Sequence, residues 1–199
     1  MAATERPGDT RHPSEVTQPS EEELARRAQA GCLASFELLV RRLQVPLVHF
    51  LRRRTSLAEA DDLAQETFLR AFENLQRYDH SYRFRPWLFT IAHRLSINAS
   101  RRTRPDDERA DLDHLADQRP SPAELADAEE QREQLWQTAM DLLGAVEVTA
   151  LWLYYAERMT TEEIGRVVGR SRSAVKTMLH RARRRLADAL PSNIHEKVS

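Results

Sequence analysis

Between positions 170 and 184 the chain concentrates side chains that donate hydrogen bonds to nucleic acid: Arg170, Arg172, Ser173, Lys176, Thr177, His180, Arg181, Arg183 and Arg184. Guanidinium and ammonium groups fit phosphate oxygens and the acceptor edge of guanine, and short hydroxyls reach several base edges. From Arg158 to Leu186 nine Lys or Arg stand against Glu162 and Glu163 only. With about five of them on phosphates, log affinity would fall against log salt with a slope near −4.5. This is the chemistry of recognition rather than of bond breaking. The nearest thing to a reactive cluster is Asp61, Asp62 and Glu66, which a metal-dependent nuclease could use. No histidine stands at ligand spacing, and no phosphate loop, HExxH or nucleophile elbow occurs, so no catalytic residue, metal, cofactor or small-molecule substrate is expected.

The elements that must position the basic cluster are legible beside it. Thr160 followed by Glu163 is a capping box that opens a helix, whose apolar stripe is Ile164, Val167 and Val168. Gly169 suits the positive φ that ends a helix, and Ser171 suits the N-cap of the next. That second helix places Val175, Leu179, Ala182 and Leu186 on one face and the basic residues on the other. Two short helices joined by a tight turn, the second basic outside, make a helix-turn-helix with a recognition helix for the major groove.

A second basic stretch differs in kind. Ser81 to Arg104 holds six arginines and no acid, with Tyr78, Tyr82, Phe84, Trp87 and Phe89 interleaved among Arg83, Arg85, His93 and Arg94. Aromatic faces stack on bases and cations meet phosphates, a combination suited to single strands. Trp87, Leu88, Ile91, Ala92 and Leu95 read as core, which leaves the loop from Tyr78 to Arg85 as the better contact candidate.

The rest of the chain balances these charges. Its 199 residues have a net charge of −1 with 31% charged side chains. The counterweight lies at 105–133, where eleven Asp or Glu oppose Arg109, Arg119 and Arg132, a net of −8, interrupted by Pro105, Pro120 and Pro122. This segment reads as a linker. A self-repelling chain of its length could hold two DNA-binding domains on the order of 70 Å apart, about two turns of duplex. Few alternating apolar residues occur, so the class is all-α: two small helical domains joined by an acidic flexible linker. The expected divisions are a disordered arm at 1–19, a bundle at 20–104, the linker at 105–125, a second domain at 126–190 and a tail at 191–199. In the bundle, Ser20 with Glu23 suggests another capping box, and Pro46 should kink the helix running to Arg52 without ending it. From Glu59 to Arg77, Leu63, Phe68, Ala71, Phe72 and Leu75 should face the core, and Asp62, Gln65, Glu66 and Leu69 another side. Cys32, the sole cysteine, reads as a small buried hydrophobe in a reducing compartment. The N-terminus has no apolar core for a signal peptide, so a cytoplasmic protein is expected.

The order DDLAQETFLRAF, FRPWLFTIA, an acidic segment, then TTEEIGRVVGRSRSAVKTMLHRARRRL resembles bacterial RNA polymerase sigma factors of the extracytoplasmic-function group, within the sigma-70 family. The resemblance spans about residues 21 to 190 and implies a promoter-specificity subunit built from sigma regions 2 and 4. Asp62, Gln65 and Phe68 match the D-x-x-Q-x-x-F pattern whose exposed side binds the β′ clamp helices of core polymerase, with Glu66 and Leu69 beside it. Trp87, Leu88, Ile91 and Ala92 match the signature of the helix beside the minus-10 element. The implied minus-10 set is Tyr78, Tyr82, Arg83, Phe84, Arg85, Trp87, His93, Arg94, Asn98 and Arg101. Ile164, Val175, Lys176, Arg181, Ala182 and Arg183 match the region that reads the minus-35 element, so the basic cluster from Arg170 to Arg184 is assigned there. Implied partners are core polymerase (β′ clamp helices and β flap), promoter DNA and an anti-sigma factor. The family usually has Asn near His93-Arg94 and Asp at Asn98; these departures bear on which promoters are read. The alternative is a free-standing helix-turn-helix regulator that does not bind core polymerase.

Overall fold

The computed structural model describes residues 18–102 and 134–189, and of Leu57, Arg101 and Arg102 the backbone alone. The arm up to residue 17, the linker, the opening of the second domain and the tail from residue 190 lie outside the described residues. Among those described, every regular element is a helix.

The N-terminal half contains α1 (Glu21–Gln29), α2 (Leu33–Arg52), α3 (Leu57–Glu73), a 3-10 turn (Leu75–Arg77) and α4 (Phe84–Arg102). Ser20 caps α1 by accepting from the Glu23 N–H at 3.1 Å. The expected capping box is only half made: the Glu23 carboxylate turns outward to Arg26 and Arg27. Between α1 and α2, Gly31 has a φ of 95° and breaks the run. Cys32 then becomes the N-cap position of α2, so it is exposed rather than buried, and the Ser35 hydroxyl donates to its Sγ. That hydrogen bond, with the Ser35 backbone, lowers the pKa of the thiol. Helix α2 runs through Pro46 as expected; the ring removes one N–H and frees the Arg42 carbonyl. Leu39, Leu43, Leu47 and Leu51 line its inner face and are fully buried, and Phe50 meets Phe89 of α4 edge to face at 5.1 Å. Phe72, expected inside, is 43% exposed and touches Phe36 by its edge, because α3 ends at Glu73 near the rim of the bundle.

Helix α4 has no acidic residue in its own first turn. Its cap comes from α1 instead, where the Glu22 carboxylate accepts the Phe84 N–H at 3.2 Å. A carboxylate there also suits the positive end of the helix dipole.

The C-terminal half contains α5 (134–142), α6 (Ala145–Tyr155), α7 (Thr161–Val168) and α8 (Arg172–Ala189). Gly144 separates α5 from α6, its N–H donating to the Glu147 carboxylate at 2.9 Å. Arg158, with a φ of 51°, turns the chain from α6 to α7. Ile164, Val167, Val175, Leu179 and Ala182 join Leu151, Leu153 and Met159 in the core. The two halves are in contact, with α4 packed against α7.

Candidate nucleic-acid and polymerase interfaces

The helix-turn-helix forms as its residues require. Thr160 and Glu163 make both hydrogen bonds of the box, Glu163 N–H to the Thr160 hydroxyl at 3.3 Å and Thr160 N–H to the Glu163 carboxylate at 2.7 Å. Gly169 adopts φ 68° and the Arg170 N–H donates to the Gly165 carbonyl at 2.9 Å. A Cβ at Gly165 would stand 2.5 Å from the Arg170 carbonyl oxygen, so this close crossing of α7 and the turn admits only glycine. The Ser171 hydroxyl accepts the Ala174 N–H at 3.2 Å and starts α8. Arg170, Arg172, Ser173, Lys176, Thr177, His180, Arg181 and Arg184 are exposed on α8 and the turn before it. Arg183 departs from the expected set. It is half-buried, its guanidinium over the rings of Tyr154 and Tyr155 at 4.9 and 5.4 Å, and so braces α8 on α6. Arg185, not singled out in the sequence, ties α8 to the carboxylate of Glu147 and to the Leu142 carbonyl.

On α3, Asp62, Gln65 and Leu69 lie exposed, Leu69 by 58%. Glu66 is half-exposed and pairs with Arg70 one turn on, at 2.6 Å. Phe68, expected among the contact residues, is buried in the bundle: its match to the pattern records the core face of the same helix.

The loop before α4 is built from its own polar groups. The Asp79 carboxylate accepts the Ser81 N–H at 2.9 Å, which holds its pKa below the usual value, and the Tyr82 N–H donates to the Asp79 carbonyl. Gln29 of α1 donates to the carbonyls of Leu75 and Tyr78 at 2.6 and 3.0 Å. Tyr78 is buried, not a surface group. Its ring packs on Phe84 and Trp87, its hydroxyl donates to the Tyr82 carbonyl at 2.6 Å, and burial raises its pKa. Phe84 is likewise fully buried, and Trp87 is half-buried between core and surface. Tyr78 thus holds the loop while Tyr82 is presented, 49% exposed.

His93 also corrects the sequence expectation. It is only 4% exposed, and the Arg54 guanidinium donates to its Nδ1 at 3.0 Å. Burial first, then the charges of Arg54 and Arg94, lower its pKa to about 4, so it is neutral with the proton on Nε2. Arg54, itself lowered to about 10 by burial, continues to the Ser96 hydroxyl and to the Ala145 carbonyl of α6. Arg94 and Asn98 are exposed one turn apart on α4, and the Arg101 side chain lies outside the described residues.

Arg85 is the most engaged of the expected contacts. It meets Glu21 of α1 at 2.6 Å and Glu157, just beyond α6, at 2.7 Å, with the Glu157 side chain 3% exposed. Burial alone would lower the Arg85 pKa, but the bonds to both carboxylates carry it above its ordinary value. Beside it, Arg83 stands 3.6 Å from Glu163, and the guanidinium of Arg166 lies 4.1 Å from the centre of the Tyr82 ring. None of these partners was visible in local patterning, since they lie 64 or more positions away along the chain.

Among the described residues the helices thus carry an aromatic loop braced from beneath, an exposed acidic and apolar face on α3 and an exposed basic face on α8. Family comparison narrows this. Residues 39–105 match sigma-70 region 2 and residues 133–186 match sigma-70 region 4. The chain is similar to the ECF RNA polymerase sigma factor SigM of Bacillus subtilis, 35% identical over 132 residues, covering 64% of this chain and 77% of that protein. It is 34% identical to the probable RNA polymerase sigma factor RfaY of Xanthomonas campestris, over 78% of this chain but only 40% of that longer protein. The solved structure of CnrH in complex with the cytosolic domain of CnrY superposes with a TM-score of 0.64 at 25% identity, covering 87% of this chain and 98% of that one. The chain belongs to the sigma-70 family of RNA polymerase sigma factors, in its extracytoplasmic-function group. Members are transcription initiation factors. Among the described residues no helix is long and apolar enough to cross a membrane.

Proposed function

We propose that this chain binds core RNA polymerase through α3, reads the minus-35 element as duplex with α8, and holds the opened non-template strand of the minus-10 element with the Tyr82 loop and the outer face of α4. Asp62, Gln65 and Leu69 meet the β′ clamp helices, and the C-terminal half lies on the β flap. Arg172, Ser173, Lys176 and Thr177, near the start of α8, supply donors to base edges, and Arg181 and Arg184 face phosphates. Tyr82 offers a ring to an unstacked base while Arg94 and Asn98 meet the backbone. No covalent step is involved: contacts made only on open DNA offset the cost of melting. The protein acts in the cytoplasm, and an anti-sigma factor covers these faces when transcription is off.

What supports this reading is one observation, the presence in a single chain of the exposed α3 face and the basic α8 face. A free-standing regulator needs the second but has no use for the first. The test is transcription in vitro with core polymerase on a genomic promoter library, mapping start sites for wild type and for the Asp62→Ala, Gln65→Ala double variant. Specific starts with wild type, reduced about tenfold or more in the variant, are the expected result. A wild-type protein that binds duplex but never core polymerase would leave the free-standing regulator in its place.

A further inference from the structure

The chain enters α1 from across the outer face of α2, and it is fastened there. The Arg42 guanidinium donates to the Pro19 carbonyl at 2.5 Å and to the Gln18 side-chain carbonyl at 3.2 Å. Arg42 stands within a stripe of α2, because Leu38, Arg42 and Val45 follow one another at four- and three-residue spacing. Leu38 is 42% and Val45 51% exposed, so two aliphatic side chains face outward on either side of the arginine that holds the chain. Pro46 adds an unmet acceptor at the same place: its ring carries no N–H, and the Arg42 carbonyl lacks its helical donor. Arg41 stands exposed beside the stripe. We infer that this stripe is the docking surface for the N-terminal arm of the same chain, residues 13–17 lying along it as a strap.

The arm has the chemistry for this surface. Val16 is the sole aliphatic side chain between Thr4 and Gln18, and Glu15 is its neighbour. Pro19 restricts Gln18 to extended conformations, so the chain leaves the Arg42 tie as an extended segment and not as a helical turn. The two residues from Gln18 to Val16 span at most about 7 Å. Leu38 and Val45 lie about 6 and about 4.5 Å from Arg42 along the helix axis. Val16 therefore covers the aliphatic pair, Glu15 meets Arg41, and a backbone N–H of the strap supplies the Arg42 carbonyl. The α3 side of the bundle stays open: Phe36, whose ring meets Phe72 of α3, is two positions from Leu38, a little over half a helical turn away. The strap acts on α1. Held at its N-terminal end, α1 keeps Glu22 on the Phe84 N–H and Glu21 on Arg85.

The test uses the full-length protein with its native thiol removed (C32S), a change suited to the N-cap position of α2. The pair V16C and V45C, and as control the pair D9C and V45C, are oxidised mildly and the intramolecular disulfide is followed by gel mobility. The first pair is expected to close about tenfold faster than the control, since a docked Val16 lies within the short span a disulfide bridges and a free arm does not. In the first pair Glu15→Lys should slow closure about threefold, and Arg41→Glu added to it should restore the rate. Independently, Val45→Asp and removal of residues 2–17 should each speed amide exchange at Phe84 by about three- to tenfold and leave the Val175 amide of α8 unchanged. Equal closure from positions 9 and 16, with exchange at Phe84 unchanged in both variants, would overturn the strap. Disulfides formed only between two chains would give the stripe to a second copy and overturn it equally. Neither DNA nor polymerase enters these measurements, so their failure leaves the sigma-factor reading standing.

Discussion

The Tyr82 loop and the recognition helix α8 carry similar side chains, arginines among rings or hydroxyls, yet the chain treats them oppositely. The loop's cations are met from within by Glu157 and Glu163, whereas those of α8 from Arg172 to Arg181 face solvent. The difference lies in what packs nearby. Helix α7 begins with Glu162 and Glu163, acids that favour its own N-terminus, and the packing of α4 on α7 brings that acidic end to the loop. Helix α8 has no acidic residue in its first turn. A charged binding surface stays open only where the fold keeps opposite charges away from it.

The strongest way to break the comparison is to remove one side of it. Gly165→Ala forces a methyl against the Arg170 carbonyl and should destabilise the α7–α8 turn by about 3 kcal/mol. Thermal unfolding would show the loss, and duplex binding should fall with it.

Acid acts on the other side. A free histidine titrates near 6.5, whereas His93 is lowered to about 4, first by burial and then by Arg54 and Arg94. As pH falls through 6.5 the unfolded chain takes up a proton that the folded chain refuses. The stability is therefore complete above about pH 6.5 and is lost progressively toward pH 4, by at most about 3 kcal/mol. Urea titrations near pH 7 and near pH 4.5 measure this. His93→Gln keeps an acceptor for Arg54 and should flatten the slope; an unchanged slope would assign the acid sensitivity to another group.

Smaller effects sharpen the comparison. Tyr82→Ala should weaken single-strand binding by about 1–3 kcal/mol and leave duplex binding alone. Conversely, Arg184→Ala should weaken duplex binding similarly across sequences and reduce the magnitude of the salt slope by about 1, as loss of one phosphate contact requires.

What could be read beforehand follows from the range of the forces involved. The helix-turn-helix was legible because each of its signals acts within four residues: the Thr160–Glu163 box, the Gly169 turn and the Ser171 cap. The exposed α3 residues followed from helical spacing. Tyr78, Phe84 and His93 were misplaced because a mixed aromatic and basic stretch looks the same whether its rings stack on a ligand or on one another. Their burial is decided by contacts such as Gln29 of α1 to the Tyr78 carbonyl, Glu22 of α1 to the Phe84 N–H, and Arg54, in the turn after α2, to His93. Cys32 was misplaced because Gly31 ends α1 there and puts the thiol at a helix start. The docking of α7 on α4 had no local signal at all, since each ion pair joins residues far apart in the chain.

The cap that α1 lends to α4 bears on where this protein can be cut. The stretch similar to region 2 starts at residue 39, which leaves α1 outside it. Yet α1 holds the Glu22 carboxylate at the first N–H of α4, the Glu21 partner of Arg85 and the Gln29 amide that fastens the Tyr78 loop. A fragment trimmed to the boundary of similarity would keep the residues proposed to face the promoter and lose what aims them. Inherited resemblance and mechanical integrity draw different borders on this chain, and a dissection meant to preserve binding has to begin at Ser20 or earlier.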